Sequence, residues 1–184
     1  LVQSGVIGQP SLIVVNTLQA PSKKMEVDDY WRTTPGISGG GLFFDLAPHQ
    51  LDIIYWIFGK PTHVRAWSMN QKHAYAAPDL TNVEAVFGNQ VYLHAVWAFN
   101  LDSSAEHETC EIIGDNGKIA FSFFRASDIQ ITTSRGIEKI TLEYPVNIQQ
   151  PMIEEVVKFF RDEGPNPCSL EDALITMRIM DATK

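Results

Sequence analysis

Four side chains that suit a reactive or binding site recur at helical spacing in one short stretch of the sequence. Asp45 and His49 are four residues apart, Asp52 follows three residues later, and Trp56 four residues after that. On a helix these intervals place all four side chains on one face. Histidine can accept a proton near neutral pH, and a carboxylate one turn away can orient the ring and stabilise its charged form.

Two interpretations of this face stay open from the residues alone. A plain solvated face is compatible with the opposite side of the helix, which is nearly all apolar: Leu46, Ile53, Ile54 and Ile57. Three consecutive glycines, Gly39 to Gly41, precede the helix at a large entropy cost, so a ligand or another element is expected close to that backbone. Pro48 lacks an amide hydrogen and is expected to loosen the turn before His49, which favours a functional role.

A metal site is a weaker alternative for the same residues. His49 and Asp52 could act with a distant ligand such as His73 or His94, but no His-x-x-x-His pair or carboxylate cluster accompanies them. We therefore expect no metal in this chain.

The overall composition limits the classes of partner. A chain of 184 residues with 45% hydrophobic content can bury a core, so residues 1–184 are expected to form one domain. Its 14 basic and 22 acidic side chains give a formal charge of -8 without a basic stripe, so no nucleic-acid partner is expected. No apolar run approaches the roughly 20 residues of a membrane span, so no membrane partner is expected either. Cys110 and Cys168 form no Cys-x-x-Cys pair, which favours a reducing, cytoplasmic location.

The pattern of apolar residues predicts an α+β fold with an open, mostly antiparallel sheet and helices on one face. Clusters of β-branched and aromatic residues between turn signals predict eight strands: 10–16, 62–69, 82–87, 90–99, 108–113, 118–124, 128–133 and 137–144. Short glycine-bearing turns at 88–89, 115–117 and 135–136 predict tight hairpins. The strands between residues 82 and 144 are therefore expected to form a meander.

Three segments have helical periodicity. The first predicted helix covers residues 41–58; Gly59 follows as the stop signal, with Pro61 just beyond as a terminator. Residues 151–162 begin with a proline and are expected to bury an apolar face made of Ile153, Val156, Val157 and Phe160. Residues 169–182 begin with Ser169 three residues before Asp172, which resembles a capping box.

A longer pattern around the first helix resembles the signature of the Gfo/Idh/MocA oxidoreductase family. The pattern runs through these residues: Trp31-Arg32, Ser38-Gly39-Gly40-Gly41, Asp45, His49, Asp52, Trp56, Phe58-Gly59 and Pro61. The segment Ser4-Gly5-Val6-Ile7-Gly8 before a strand resembles the entry into the family's second domain, and the last two helices resemble its closing helices. The chain begins at Leu1 without a methionine and soon enters a strand, so it is expected to be a piece of a longer protein. The resemblance implies that this piece is the C-terminal part of a two-domain protein.

The resemblance implies a dihydrodipicolinate-reductase-like C-terminal domain joined to an N-terminal Rossmann domain that binds NAD or NADP. In such enzymes a lysine of a Glu-Lys-Pro motif on the Rossmann side works beside the residues that Asp45 and His49 match. Neither that motif nor a Gly-x-Gly-x-x-Gly turn occurs in this sequence, so the Rossmann domain is absent and no cofactor-binding residue is expected here. The cofactor is expected in the intact protein, bound mainly by its other half.

The resemblance implies a substrate-binding and catalytic-residue domain of an NAD(P)-dependent oxidoreductase acting on a sugar, polyol or inositol-like alcohol. His49 is the candidate acid/base, and Asp45 the residue that positions either the histidine or substrate hydroxyl groups. Trp31 and Arg32 are candidate substrate contacts, with a packed aromatic and a structural ion pair as the equal alternative. Two other functions stay open: a non-catalytic sugar-binding or oligomerisation module, and an NAD-dependent glycosidase relative.

Two more expectations concern other residues of the first helix and the faces of the sheet. Asp52 and Trp56 are expected to fix the helix in place rather than to contact substrate. Residues 90–99 put Val91, Leu93, Ala95, Trp97 and Phe99 on one strand face, and Tyr92, His94, Val96 and Ala98 on the other. Because both faces are largely apolar, and Phe121, Phe123 and Phe124 repeat the pattern nearby, the free sheet face is expected to form a homodimer or homotetramer.

Overall fold

The computed structural model describes residues 1–22, 25, 30–125 and 128–183 and has one sheet of eight strands. The strands are β1 Pro10–Leu18, β2 Pro61–Met69, β3 Leu80–Phe87, β4 Tyr92–Ala98, β5 His107–Gly114, β6 Gly117–Phe121, β7 Ile129–Thr133 and β8 Gly136–Ile140. The helices are α1 Pro35–Ser38, α2 Leu42–Phe58, α3 Gln150–Phe160 and α4 Leu170–Asp181. The predicted number of strands, their mostly antiparallel pairing and the three long helices are confirmed.

The predicted meander is wrong at one point, between β4 and β5. The strand order is β2-β3-β4-β1-β5-β6-β7-β8, so β1 separates these two strands, lying parallel to β4 and antiparallel to β5. Hairpins form where the sequence has glycine-bearing turns, whereas the connection over residues 99–106 has no glycine. The residue after β1 is instead bound by the end of β4 and by this connection, with Gln19 N donating to Ala98 O at 2.8 Å and Leu101 N donating to Gln19 O at 3.3 Å.

Helix α2 covers one face of the sheet. Its buried residues are Leu42, Phe43, Ala47, Gln50, Leu51 and Ile54, and they lie over inward side chains of the central strands. Phe43 packs edge-on against Trp97 with ring centroids 5.0 Å apart. The predicted apolar side was only partly correct, because Ile53 is 40% exposed and the polar Gln50 takes a buried position.

Helix α4 packs beside α2, and its predicted capping box is confirmed. Asp172 N donates to Ser169 Oγ at 3.2 Å, while Ser169 N donates to Asp172 Oδ2 at 3.1 Å. Tyr55 of α2 donates from its hydroxyl to Asp172 Oδ1 at 2.7 Å, which joins the two helices. In the parts of the chain that the structure describes, no helix combines the length and apolar character of a membrane span.

Helix α3 forms as predicted, but its predicted burial is wrong. Ile153, Val157 and Phe160 are exposed, and Val156 is half-buried. Helical periodicity shows that a helix has an apolar face, but it does not specify which surface covers that face. No other described element contacts α3 extensively.

The other face of the sheet is open and more polar than its aromatic residues suggest. It carries Tyr92, His94 and Val96 of β4, and His94 Nδ1 lies 3.9 Å from Glu84 Oε1. Trp97 is fully buried on the covered face, and Phe121 pairs in register with the buried Cys110 of that same face. The expectation that Phe121 adds to the open face is therefore wrong.

Candidate active site

Of the three glycines before α2, Gly40 and Gly41 are explained by neighbouring protein atoms, and Gly39 by its φ of 81°. Gly41 has a φ of 90°, and a Cβ there would lie 2.6 Å from Ala77 Cβ. A Cβ on Gly40 would lie 2.3 Å from the Phe44 ring. The Gly41 amide donates to Ser38 Oγ at 2.8 Å. The sequence predicted either a ligand or another structural element close to this backbone, and the structure has another structural element there.

That element is the loop between β2 and β3, and a buried carboxylate holds it in place. Asp79 is 1% exposed and accepts hydrogen bonds from the backbone amides of Gln71 at 2.8 Å and Lys72 at 2.9 Å. Ala77 N donates to Thr33 O at 3.2 Å, which joins the loop to the segment that leads into the site. Burial, with a contribution from the charge of Asp79, raises the pKa of Tyr75 in this loop to about 12.

Asp45 is bound by Arg32, whose side chain lies across the start of α2. Arg32 Nε donates to Asp45 Oδ2 at 2.7 Å, and Arg32 Nη1 donates to the Tyr30 hydroxyl oxygen at 2.9 Å. The guanidinium carbon lies 4.3 Å from the centre of the Trp31 ring, a cation–π distance. The hydrogen bond to Asp45 is the main cause of a raised pKa of Arg32. Trp31, Arg32 and Asp45 therefore form one contiguous group.

His49 lies one turn further along the same side of α2. Its side chain is exposed, and its ring meets the Phe124 ring edge-on with centroids 6.2 Å apart. Within the described ranges no hydrogen bond joins it to Asp45, whose carboxylate is bound by Arg32. Helix α2 continues without a break through Pro48, so the expected loosening does not interrupt the helix.

A buried polar network below His49 was not predicted. Gln50 is fully buried, accepts a hydrogen bond from Trp97 Nε1 at 2.6 Å and donates to Thr17 Oγ1 at 2.9 Å. It also donates to Glu108 Oε1 at 3.4 Å, and Glu108 itself is only 6% exposed. The sequence did contain a signal, because Glu108 shares the inward alternation of Cys110 and Ile112 on β5, where an apolar residue is the norm.

Asp52 and Trp56 differ in their surroundings although both lie on the predicted polar face. Asp52 is half-buried near α4, and burial followed by the charge of Asp172 raises its pKa. Trp56 is 82% exposed, so the expectation that it fixes the helix by packing is wrong. Among the described residues, no three His, Cys, Asp or Glu side chains are grouped closely enough to hold a metal ion.

Comparison with known proteins assigns the chain to a family. Residues 1–120 match the family described as GFO/IDH/MocA C-terminal domain. An oxidoreductase from Formosa agariphila is 35% identical over 183 residues, which is 98% of this chain and 56% of that protein. The chain therefore spans about half the length of the curated relative that it matches.

Solved structures share the fold at low sequence identity. A levoglucosan dehydrogenase in complex with NADH and levoglucosan has a TM-score of 0.81 at 20% identity, covering 98% of this chain and 57% of that one. An oxidoreductase from Agrobacterium radiobacter, in complex with NAD+, L-tartaric acid and magnesium, has a TM-score of 0.79 at 17% identity, covering 98% and 55%. At these identities the likeness establishes the fold, whereas the matched family and the 35% identical relative establish the membership. The chain belongs to the GFO/IDH/MocA oxidoreductase family, and its residues 1–120 match the family's C-terminal domain.

Proposed function

We propose that this chain is the substrate-binding and catalytic-residue domain of an NAD(P)-dependent oxidoreductase that acts on a sugar, polyol or inositol-like alcohol. The observation that carries the proposal is the exposed imidazole of His49, one helical turn from the Arg32–Asp45 pair. The substrate class is supported by a structural neighbour that was solved with NADH and levoglucosan. The proposal also treats residues 1–184 as one domain of a longer, cytoplasmic protein.

The proposed chemistry assigns a separate task to each of the site residues. Oxidation of a secondary alcohol removes a proton from the hydroxyl oxygen and a hydride from the carbon that carries this hydroxyl group, and the hydride passes to the nicotinamide. His49 accepts the proton at an imidazole nitrogen, because its ring is exposed and histidine is a side chain that takes up protons near neutral pH. Asp45 and Arg32 form a fixed polar surface with hydrogen-bonding capacity for neighbouring hydroxyl groups, and Trp31 supports the guanidinium from one side.

The glycine-rich turn before α2 does not fit a dinucleotide's pyrophosphate. The one glycine-rich turn in the chain directs the Gly41 amide to Ser38 Oγ, and Phe44 and Ala77 fill the space beside the glycines. A phosphate cradle needs free backbone amides at a helix start. We therefore place the nucleotide, the hydride acceptor that the reaction needs, on the part of the protein outside these 184 residues.

The open face of the sheet supports a second element of the proposal, which is assembly into a homodimer or homotetramer. Trp67 and Met69 of β2 and Tyr92 of β4 are large exposed side chains on that face. A sheet face with exposed aromatic residues is a suitable surface for a two-fold contact between copies.

The test of the proposed function uses the chain joined to the rest of its protein. Formation of reduced nicotinamide is followed with NAD+ and NADP+ against aldoses, anhydro sugars, inositols and linear polyols. We expect turnover with at least one of these alcohols, and neither turnover nor saturable dinucleotide binding with the 184-residue chain alone. Absence of turnover across the whole panel, or micromolar dinucleotide affinity of the isolated chain by calorimetry, would refute the proposal.

A further inference from the structure

A buried carboxylate lies beneath the loop that carries Phe124. Glu108 Oε1 accepts hydrogen bonds from Phe123 N at 3.2 Å and from Gln50 Nε2 at 3.4 Å. Glu108 Oε2 accepts from Ser122 Oγ and from Phe124 N, the latter at 3.4 Å. One side chain therefore binds both the loop after β6 and helix α2.

The donor set requires a carboxylate. Each of the two oxygens of Glu108 faces at least one backbone amide of the loop, and an amide can only donate. A glutamine of the same size would place an NH2 group against one of these amides in either orientation of its side chain. A buried donor that loses its acceptor costs about 1–3 kcal/mol, so the loop would move to relieve the conflict.

The network reaches the residue next to the candidate acid/base. Gln50 is the residue after His49, and it is held from below by Trp97 and Thr17. Phe124 meets the His49 ring edge-on and is 42% exposed, so it faces both the imidazole and the open surface. Glu108 thus acts at both sides of this aromatic contact, although it does not touch the imidazole in the structure.

We propose that Glu108 is a positioning residue, which fixes Phe124 against His49 and so sets the wall of the substrate site. The proposal rests on the proposed function for the role of His49. The contact between Phe124 and His49 does not depend on that function and can be measured without a substrate. Phe124 is in turn a substrate-contact residue, whose exposed ring is suited to pack against the C–H face of a sugar or polyol carbon chain.

The first test uses nuclear magnetic resonance on the 184-residue chain. We expect a cross-relaxation signal between the ring protons of His49 and Phe124, and we expect Glu108→Gln to abolish it. The same change should speed hydrogen exchange of the Phe123 and Phe124 amides by about tenfold or more, while the amides of β1 and β4 stay protected.

Glu111→Gln is the matched control, because Glu111 lies on the same strand but on the open face, where it pairs with Lys118. That variant should keep the signal. Ser122→Ala is a milder change, which removes one hydrogen-bond donor to Glu108 and should weaken the signal. This variant replaces Glu108→Gln in the test if Glu108→Gln does not fold. Retention of the signal in both Glu108→Gln and Ser122→Ala, or its loss in Glu111→Gln, would overturn the proposal.

The second test is kinetic and uses the longer protein. Glu108→Gln and Phe124→Ala should each raise KM several-fold with a smaller change in kcat, and the double variant should resemble the single variants. Fully additive effects on KM would refute action through Phe124. If the longer protein oxidises no alcohol, the proposed function fails while the resonance experiment still decides the position of Phe124.

Discussion

The carboxylate of Asp45 accepts a hydrogen bond from Arg32 Nε at 2.7 Å and is therefore held by a guanidinium. This pairing separates the roles of two residues that the sequence places one helical turn apart. His49 has an exposed ring that contacts Phe124, whereas Asp45 belongs to the group around Arg32 and Trp31. A histidine can transfer a proton, and a carboxylate held by a guanidinium can still accept hydrogen bonds from hydroxyl groups.

The replacement His49→Ala in the longer protein should lower kcat by roughly 10²-fold or more, the usual scale for loss of a positioned acid/base. Dinucleotide affinity should stay nearly unchanged, because the nucleotide is proposed to bind elsewhere. Steady-state kinetics and calorimetry measure the two quantities. The control is His63→Ala, because His63 is exposed on the edge strand β2 and contacts Thr62. Wild-type turnover of the His49 variant would identify the face of α2 that carries Asp45 and His49 as a solvated helix face.

The replacement Arg32→Lys should lower kcat/KM by roughly tenfold, which corresponds to about 1.4 kcal/mol. A lysine keeps the charge but cannot donate to Asp45 and Tyr30 from one planar group while lying on Trp31. Asp45→Asn should also lower kcat/KM, since it removes the negative charge that Arg32 binds. Arg65→Lys, on exposed β2, is the matched control. Equal kinetics of both arginine variants would make the Arg32–Asp45 pair a structural ion pair only.

The replacement Gly41→Ala should lower the free energy of unfolding by roughly 1–3 kcal/mol, the range for a residue forced into a sparsely populated backbone region. The φ of 90° and the approach of Ala77 both oppose a side chain at this position. Gly36→Ala is the matched control, because Gly36 lies in α1 with no atom within 4 Å of an added Cβ. Chemical denaturation compares the two. Equal stability of both variants would contradict the structural explanation of the glycines.

Local signals in the sequence identified most elements but not their arrangement. Glycine turns located three hairpins, and Ser169 with Asp172 located the start of α4, because these features act over a few residues. The insertion of β1 between β4 and β5 depends on contacts between residues far apart in sequence, so no local pattern could specify it.

The candidate site was predictable to a similar extent. Helical spacing grouped Asp45 and His49 correctly on one side of α2, but spacing along one helix could not provide the partner of Asp45, which comes from residue 32. Gln50 was missed because a polar residue on a helix looks the same in the sequence whether it is buried or exposed, until its partners are known. Glu108 was missed although the alternation along β5 places it on the inward face.

The contributions of the neighbouring carboxylates of Asp52 and Asp172 to stability should change in opposite directions with pH. The pKa of Asp52 is raised by burial, so the folded state binds its proton more readily and the stability that this adds at low pH is lost as pH rises through the folded pKa. The pKa of Asp172 is lowered by hydrogen bonds from Ser169 and Tyr55, so its contribution is present near neutral pH and is lost as pH falls through the folded pKa.

The melting temperatures of Asp52→Asn and Asp172→Asn, each compared with the wild type between about pH 3 and pH 7, measure these trends. Relative to the wild type, Asp52→Asn should gain stability as pH rises, because it removes a charge that burial disfavours. Asp172→Asn should lose stability over the same interval. Parallel trends for the two variants would contradict the assigned causes.

Charge placed on the open sheet face should dissociate the proposed assembly. Tyr92→Glu, with Tyr92 37% exposed on β4, puts a carboxylate into the face that a second copy would cover, next to Glu84 across the strand pair. Burial of an unpaired charge is unfavourable, so the mass from light scattering at micromolar concentration should fall to that of a single chain.

The choice of residue matters in this experiment, because Trp97 is fully buried beneath α2 and its replacement would damage the core. Trp67→Glu, on exposed β2 of the same open face, should act like Tyr92→Glu. Trp56→Glu is the matched control, since Trp56 is more exposed than either but projects from α2 on the opposite side of the sheet. It should leave the mass unchanged. A wild-type chain that is monomeric at every concentration, or a control that dissociates as fully as the sheet variants, would exclude assembly through this face.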